Sequence, residues 1–74
     1  MWVKICGTTN LEDAQLAIEA GADAVGFVFG PSRRQVSAEQ VAPITPHLPD
    51  KVEKIGVFVN ETPARIAEIV RIAG

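Results

Sequence analysis

Cys6 is the side chain best placed for chemistry in this 74-residue chain. It ends an apolar run, and a glycine and a helix-start pattern follow it, so its thiol would lie near a helix N-terminus. The partial positive charge of a helix N-terminus favours a thiolate, and Lys4 would share its strand face and favour the thiolate further. A thiolate is a general base or a nucleophile. The alternative for a lone cysteine is a small packed residue at a strand end.

Arg33 and Arg34 follow the second apolar run, in a loop that reads Gly-Pro-Ser-Arg-Arg. Guanidinium groups suit carboxylate and phosphate through forked hydrogen bonds, whereas the alternative is a solvated pair. No glycine-rich nucleotide fingerprint occurs. One cysteine and one histidine, His47, exclude an internal disulfide and are too few for a structural zinc site. We therefore expect no cofactor and no metal.

The elements that must position these groups alternate between strand and helix. Three short apolar runs predict strands over Trp2–Cys6, Ala24–Phe29 and Ile55–Val59. The runs are nearly unbroken, which is typical of a parallel sheet packed against helices. Helical patterns follow each run, so the sequence predicts a βαβαβα chain of the α/β class with right-handed crossovers.

The first helix has two possible N-caps, since Thr9 with Glu12 forms a capping-box pattern and Asn10 competes with it. Gly21 stands where a left-handed residue ends the helix. Its predicted apolar stripe comprises Leu11, Ala14, Leu16 and Ile18.

Ser37 and Gln40 form a second capping-box pattern, which opens a helix directed toward Leu48. Pro43 and Pro46 lie inside that span, so we expect a short, kinked or two-piece helix. The third helix should begin at Thr62 and Pro63. Its predicted apolar stripe comprises Ile66, Ile69, Val70 and Ala73.

Ligands bind parallel α/β folds at the carboxyl ends of the strands, which sorts the polar residues. The loops at that end are 7–10, 30–36 and 60–62, and Glu61 is their only carboxylate. It is best interpreted as an exposed residue before a helix. The opposite rim, where residues usually serve stability, should hold Asp23, His47, Asp50 and Glu53.

Four segments together resemble the phosphoribosylanthranilate isomerases. The segment Val3–Asn10, with its Lys-Ile-Cys-Gly strand end and Thr-rich turn, resembles the opening signature of that family. Gly21–Phe29 is similar to its second strand, Pro31–Ser37 to its second βα loop, and Gly56–Asn60 to its third strand. The order and spacing fit along all 74 residues, which implies the first three βα units of a (β/α)₈ barrel, an incomplete domain over residues 1–74.

The resemblance implies an Amadori rearrangement in tryptophan biosynthesis, in which phosphoribosylanthranilate becomes the carboxyphenylaminodeoxyribulose phosphate. Cys6 would be the general base that removes the proton from sugar C2. Arg34 matches the family arginine that holds the anthranilate end; Arg33 is the alternative if the loop length differs. Gly7, which directly follows Cys6, would also be a substrate-binding residue.

The family's general acid, an Asp on a later strand, and its phosphate loops lie beyond Gly74. Three of eight units cannot close a barrel, so we expect a truncated chain or a fragment, inactive alone. Its exposed sheet would favour self-association or pairing with the missing barrel portion, a non-catalytic alternative. A small flavodoxin-like domain would need more strands. The net charge of -2 disfavours nucleic acid, and no run suits a membrane, so a cytoplasmic location is expected.

Overall fold

Three short strands form a parallel sheet in the order β1-β2-β3 in the computed structural model, which describes residues 1–74. Each strand connects to the next through a helix-containing crossover, as parallel pairing requires. The βαβαβα order predicted from the sequence is therefore confirmed. In chain order the elements are β1 (Lys4–Ile5), α1 (Leu11–Glu19), β2 (Ala24–Val28), α2 (Ala38–Val41), a 3₁₀ helix (Thr45–His47), β3 (Glu53–Val57) and α3 (Pro63–Ala73).

The strands differ from the predicted runs mainly at their ends. β3 begins at Glu53, two residues before the predicted start at Ile55, and ends at Val57. Its first two residues pair with β2 through their backbones, and because β3 is an exposed edge strand, they need no apolar side chains there. β1 is shorter than predicted, and Trp2 lies outside it with 56% of its surface exposed.

The two faces of the sheet have different neighbours. Val25 and Phe27 point toward the helices and are 0% and 2% exposed, within a core that draws on all three helices. Side chains alternate along a strand, so Gly26 points to the opposite face, together with its registered partner Ile55. We call this second side, which no helix covers, the open face. It carries Lys4, Ala24, Gly26, Val28, Glu53, Ile55 and Val57.

α1 is capped by Asn10, whose side-chain oxygen accepts a hydrogen bond from the Asp13 N–H at 2.8 Å. The Thr9–Glu12 alternative is therefore wrong. Gly21 ends the helix with φ +100°, as predicted. The predicted stripe is wrong at Leu16, which is 57% exposed because it overhangs the unpaired edge of β1.

α2 opens with the predicted Ser37–Gln40 capping box and stops after one turn. The 3₁₀ helix follows at Thr45, so the predicted two-piece helix is confirmed, and the two prolines account for the interruption.

α3 begins as predicted, with Thr62 as its N-cap and Pro63 at the first position. Its stripe is wrong at Val70, which is 56% exposed and overhangs the edge of β3. Ile72 packs against the core instead. None of the helices combines the length and the apolar character that crossing a bilayer would require.

Candidate active site

Cys6 stands at the carboxyl end of β1, on the open face. Its Sγ lies 3.1 Å from the point that a Cβ atom on Gly26 would occupy, so the thiol rests on the bare backbone of β2. The residue is exposed. Two residues on, the Thr8 N–H donates to the Gly26 carbonyl oxygen at 3.0 Å and fastens the turn to β2. The predicted placement of the sulfur at the end of the first strand is thus the observed one.

Lys4 lies on the same face as Cys6, as the strand period predicts. Its Cε is 3.3 Å from the same Cβ position over Gly26. The lysine stem therefore leans along the strand toward the thiol. A cationic side chain and a thiol consequently share one patch of the open face.

Gly7 turns the chain from β1 toward α1 with φ +81°, a left-handed conformation that L side chains rarely adopt. A Cβ atom here would lie 3.3 Å from Cδ and 3.6 Å from Cγ of Arg34. The aliphatic stem of Arg34 thus crosses the glycine that directly follows Cys6. This contact brings the second βα loop next to the end of β1.

The second βα loop holds its own shape through local hydrogen bonds. The Ser32 side chain accepts from the Arg34 N–H at 3.2 Å, and the Ser32 carbonyl accepts from the Gln35 N–H at 3.2 Å. The Val36 N–H donates to the Val28 carbonyl at 2.8 Å and rejoins the loop to β2. Arg33 is exposed, and the three atoms nearest to the Cβ position of Gly7 all belong to Arg34.

The two loop arginines remain free to bind an anion. The single ion pair of the chain joins Arg65 to Glu68 on α3, so both loop guanidinium groups are unpaired. The carboxyl edge of the sheet therefore offers a thiol and an unpaired guanidinium from adjacent loops. Such a pair can take a proton from a substrate whose carboxylate or phosphate the guanidinium holds.

The other polar candidates lie where the sequence placed them. Asp23 stands at the amino end of β2, where its Oδ2 accepts from the Val3 N–H at 2.8 Å. His47 is an exposed residue of the 3₁₀ helix and lines a shallow cleft with Gln15 and Glu19 of α1. Glu61 is exposed and lines a polar cleft of about 390 Å³ with Gln35 and Arg65. No cluster of three His, Cys, Asp or Glu side chains suitable for a metal ion occurs.

Gly26 is the site residue that sequence reasoning missed. It lies in the middle of a buried strand, where glycine weakens the pairing and therefore often marks a close approach. That signal was present in the sequence, but nothing in one strand reveals which atoms of its neighbour come close.

Comparison with known proteins gives consistent matches over nearly the whole chain. The family model for N-(5'phosphoribosyl)anthranilate (PRA) isomerase matches residues 3–74. The chain belongs to the phosphoribosylanthranilate isomerase family. Among curated members, that of Symbiobacterium thermophilum is 50% identical over 74 residues, which cover 100% of this chain and 33% of the relative. That of Nitratiruptor sp. is 56% identical over 70 residues, covering 93% of this chain and 36% of the relative.

Solved structures of the phosphoribosylanthranilate isomerase family superpose closely on the chain. One, in complex with reduced 1-(o-carboxyphenylamino)-1-deoxyribulose 5-phosphate, is 51% identical with a TM-score of 0.94 and covers 99% of this chain and 38% of its own. The Thermus thermophilus structure is 43% identical with a TM-score of 0.93, covering 99% and 37%. These neighbours are (β/α)₈ barrels, which confirms the predicted fold class. The chain spans about a third of the length of its relatives.

Proposed function

We propose that this chain supplies the general base and the anthranilate-binding arginine of a phosphoribosylanthranilate isomerase active site. The observation that carries the proposal is the contact between Gly7 and the stem of Arg34, which brings an arginine without an ion-pair partner against the residue that directly follows the exposed Cys6. Both groups stand at the carboxyl edge of the sheet, where ligands bind in barrels of this kind. Membership of the family supplies the reaction class.

The proposed reaction is an internal redox exchange between two sugar carbons. A general acid protonates the ring oxygen, the ring opens, and C1 becomes an iminium carbon. The iminium makes the C2 proton acidic, and the Cys6 thiolate removes it. The electron pair of the broken C–H bond moves into the C1–C2 bond and neutralises the iminium. The resulting enaminol tautomerises to the aminoketose: C1 gains a proton and the C2 hydroxyl loses one as it becomes the carbonyl, so no external oxidant or reductant is consumed.

Arg34 would hold the anthranilate carboxylate during this sequence. Its stem packs against Gly7, and its forked guanidinium fits a planar carboxylate. Gly7 would contribute by allowing this approach rather than by a side chain of its own. Arg33, which lacks the same support, is the weaker candidate.

The general acid and the phosphate grip would come from later βα units of the barrel. A chimeric barrel, in which residues 1–74 replace the matching segment of the Thermotoga maritima enzyme, therefore provides the test. The relevant T. maritima structure is 51% identical and aligns over 99% of this chain. We expect the chimera to convert the aminoaldose substrate to the aminoketose, and chromatography measures the product formed.

Cys6→Ser should lower kcat of the chimeric barrel by about 100-fold or more, which is the usual contribution of a positioned general base. It should leave nearly unchanged the binding of the reduced product analogue, which is the reduced 1-(o-carboxyphenylamino)-1-deoxyribulose 5-phosphate bound in the related structure. A Cys6→Ser variant that retains parental kcat would contradict the proposal. The 74-residue chain alone, assayed in the same way, should show no turnover.

Arg34→Ala should weaken binding of the reduced product analogue by about 10- to 100-fold, the equivalent of one charge-assisted hydrogen bond. Arg33→Ala is the matched control, since it removes an equal charge from the same loop. Equal losses in the two variants would reassign the effect to net charge.

A second candidate function is that of an assembly module without catalytic activity. It is favoured by the apolar side chains left exposed beside the unpaired edge of β1, where Ile5 is 43% exposed and Leu16 57%. An uncovered strand edge is a template for pairing with another chain. Sedimentation velocity over a range of concentrations tests this candidate. A monomer at the highest concentration would exclude self-association.

A further inference from the structure

Gly26 contributes to the candidate site through the absence of a side chain. Gly26 lies in the centre of β2 and is buried, although it has no side chain to bury. On the open face it lies next to Lys4 of β1 and to Cys6, which directly follows β1. Residues on either side of Gly26 in β2 point into the core instead.

The side chains of Cys6 and Lys4 fill the space above Gly26. A Cβ atom at position 26 would lie 3.1 Å from the sulfur of Cys6, 3.3 Å from its Cα and 3.3 Å from Cε of Lys4. Ordinary contacts between carbon atoms in protein interiors are about 3.5–4.0 Å. An alanine methyl would therefore push the Cys6 side chain outward by a few tenths of an ångström.

We infer that Gly26 is a positioning residue, whose missing side chain sets the depth at which the Cys6 thiol stands over the sheet. The inference rests on the proposed role of Cys6 as general base. A base must reach within hydrogen-bonding distance of the proton that it removes, so a small outward shift changes its alignment with the sugar. The main-chain bond from Thr8 to Gly26 fixes the backbone on the far side of Cys6, which limits how far the strand can adjust.

The chain offers a matched control in Gly56, which lies in β3 and pairs in register with Phe27. A Cβ atom there would meet Cε2 of Phe58 at 2.9 Å, on the helix-covered side of the sheet. Gly56→Ala therefore also introduces a steric clash within the same sheet, but on the side opposite to the open face. Neither the thiol nor the loop arginines contact this position.

The experiment compares Gly26→Ala with Gly56→Ala in the chimeric barrel. Gly26→Ala should lower kcat about tenfold, because a misplacement of about 1 Å costs about 100-fold and the expected shift is smaller. KM should stay within about twofold of the parent. Gly56→Ala should lower the melting temperature and leave kcat unchanged. The inference is overturned if Gly26→Ala keeps parental kcat, or if Gly56→Ala loses as much kcat as Gly26→Ala.

The Cys6→Ser variant separates this inference from the proposed function. If Cys6→Ser keeps kcat, then Cys6 is not the base and the proposed function fails. If Cys6→Ser loses kcat and Gly26→Ala does not, then only the inference about position 26 fails.

A double-mutant cycle covers the case in which Gly26→Ala is too unstable to assay. Cys6→Ala removes the sulfur that the new methyl meets, so Gly26→Ala should lower the urea midpoint less in that background than in the parent. Folding that is recovered only in the Cys6→Ala background supports the contact. Equal destabilisation in both backgrounds, or failure to fold in both, overturns the inference.

Discussion

The side chain of Arg34 lies across Gly7, with only 3.3 Å between Arg34 Cδ and the place where a Cβ atom on residue 7 would stand. The glycine thus serves the site twice. It adopts the left-handed turn that leads from β1 to α1, and it leaves room for the arginine stem of the next loop.

Gly7→Ala should therefore raise KM of the chimeric barrel about tenfold, because the displaced guanidinium loses part of one charge-assisted hydrogen bond. The matched control is Gly21→Ala. Gly21 also has positive φ, at +100°, but no atom lies within 4 Å of its Cβ position. Both variants should lose about 1–2 kcal/mol of stability from backbone strain. A KM that rises equally in both would show that strain, not the arginine contact, is responsible.

Removal of the α1 N-cap is expected to destabilise the protein. Asn10→Ala leaves the Asp13 N–H without its 2.8 Å acceptor and should cost about 1 kcal/mol in urea unfolding. Thr9→Ala should change the free energy of unfolding by less than about 0.5 kcal/mol, because Thr9 only accepts a 3.4 Å hydrogen bond from the Asn10 amide and its loss leaves the Asp13 N–H capped. The reverse order of effects would restore Thr9 as the cap in solution.

The buried hydroxyl of Thr45 should contribute to the docking of α3. Its Oγ1 donates to the Ala73 carbonyl oxygen at 2.7 Å and satisfies one of the free carbonyls at the helix end. Thr45→Val keeps the shape but leaves that carbonyl unpaired, for a loss of about 1–2 kcal/mol. Thr45→Ser retains the donor and removes only a methyl group. Urea midpoints of the two variants that coincide would argue against the hydrogen bond.

Asp23 is expected to stabilise the amino-terminal edge of the sheet. Asp23→Ala removes the acceptor of the Val3 N–H and should lower the free energy of unfolding by about 1–2 kcal/mol. Asp23→Asn keeps a side-chain oxygen that can accept the same bond, so it should cost less. Thermal unfolding of the two variants checks the order, and kcat should be equal in both. A lower kcat in either would place Asp23 in the chemistry.

The order of elements was predictable because each strand and helix start carries a local signal. Ser37 with Gln40, and Thr62 with Pro63, satisfy helix N-termini by chemistry that operates within four residues. The choice of Asn10 over Thr9 was less accessible, since both residue types cap helices and only the backbone geometry selects between them.

The wrong predictions of buried and strand residues lie at the edges of the sheet. Leu16 and Val70 fit helical apolar stripes, yet they overhang the outer edges of β1 and β3 and stay exposed. Similarly, Glu53 carries no apolar signal because backbone pairing alone brings it into β3. Periodicity describes which side of a helix is apolar, but not how wide a surface that side will meet.

The candidate site was predictable as to residue type and edge, but not as to contact. The strand-end rule placed Cys6, Arg33 and Arg34 at one edge without any coordinates. The choice between the two arginines depends on which stem crosses Gly7, a relationship between segments 27 residues apart that no local pattern encodes.

The alternation along β2 divides two kinds of mutational sensitivity between successive residues. Substitutions at Val25 or Phe27 would be felt first as lost stability, whereas a substitution at Gly26 would be felt first as lost rate. A lineage could therefore tune its thermal tolerance at positions 25 and 27, whose side chains face away from the thiol, while position 26 stays glycine.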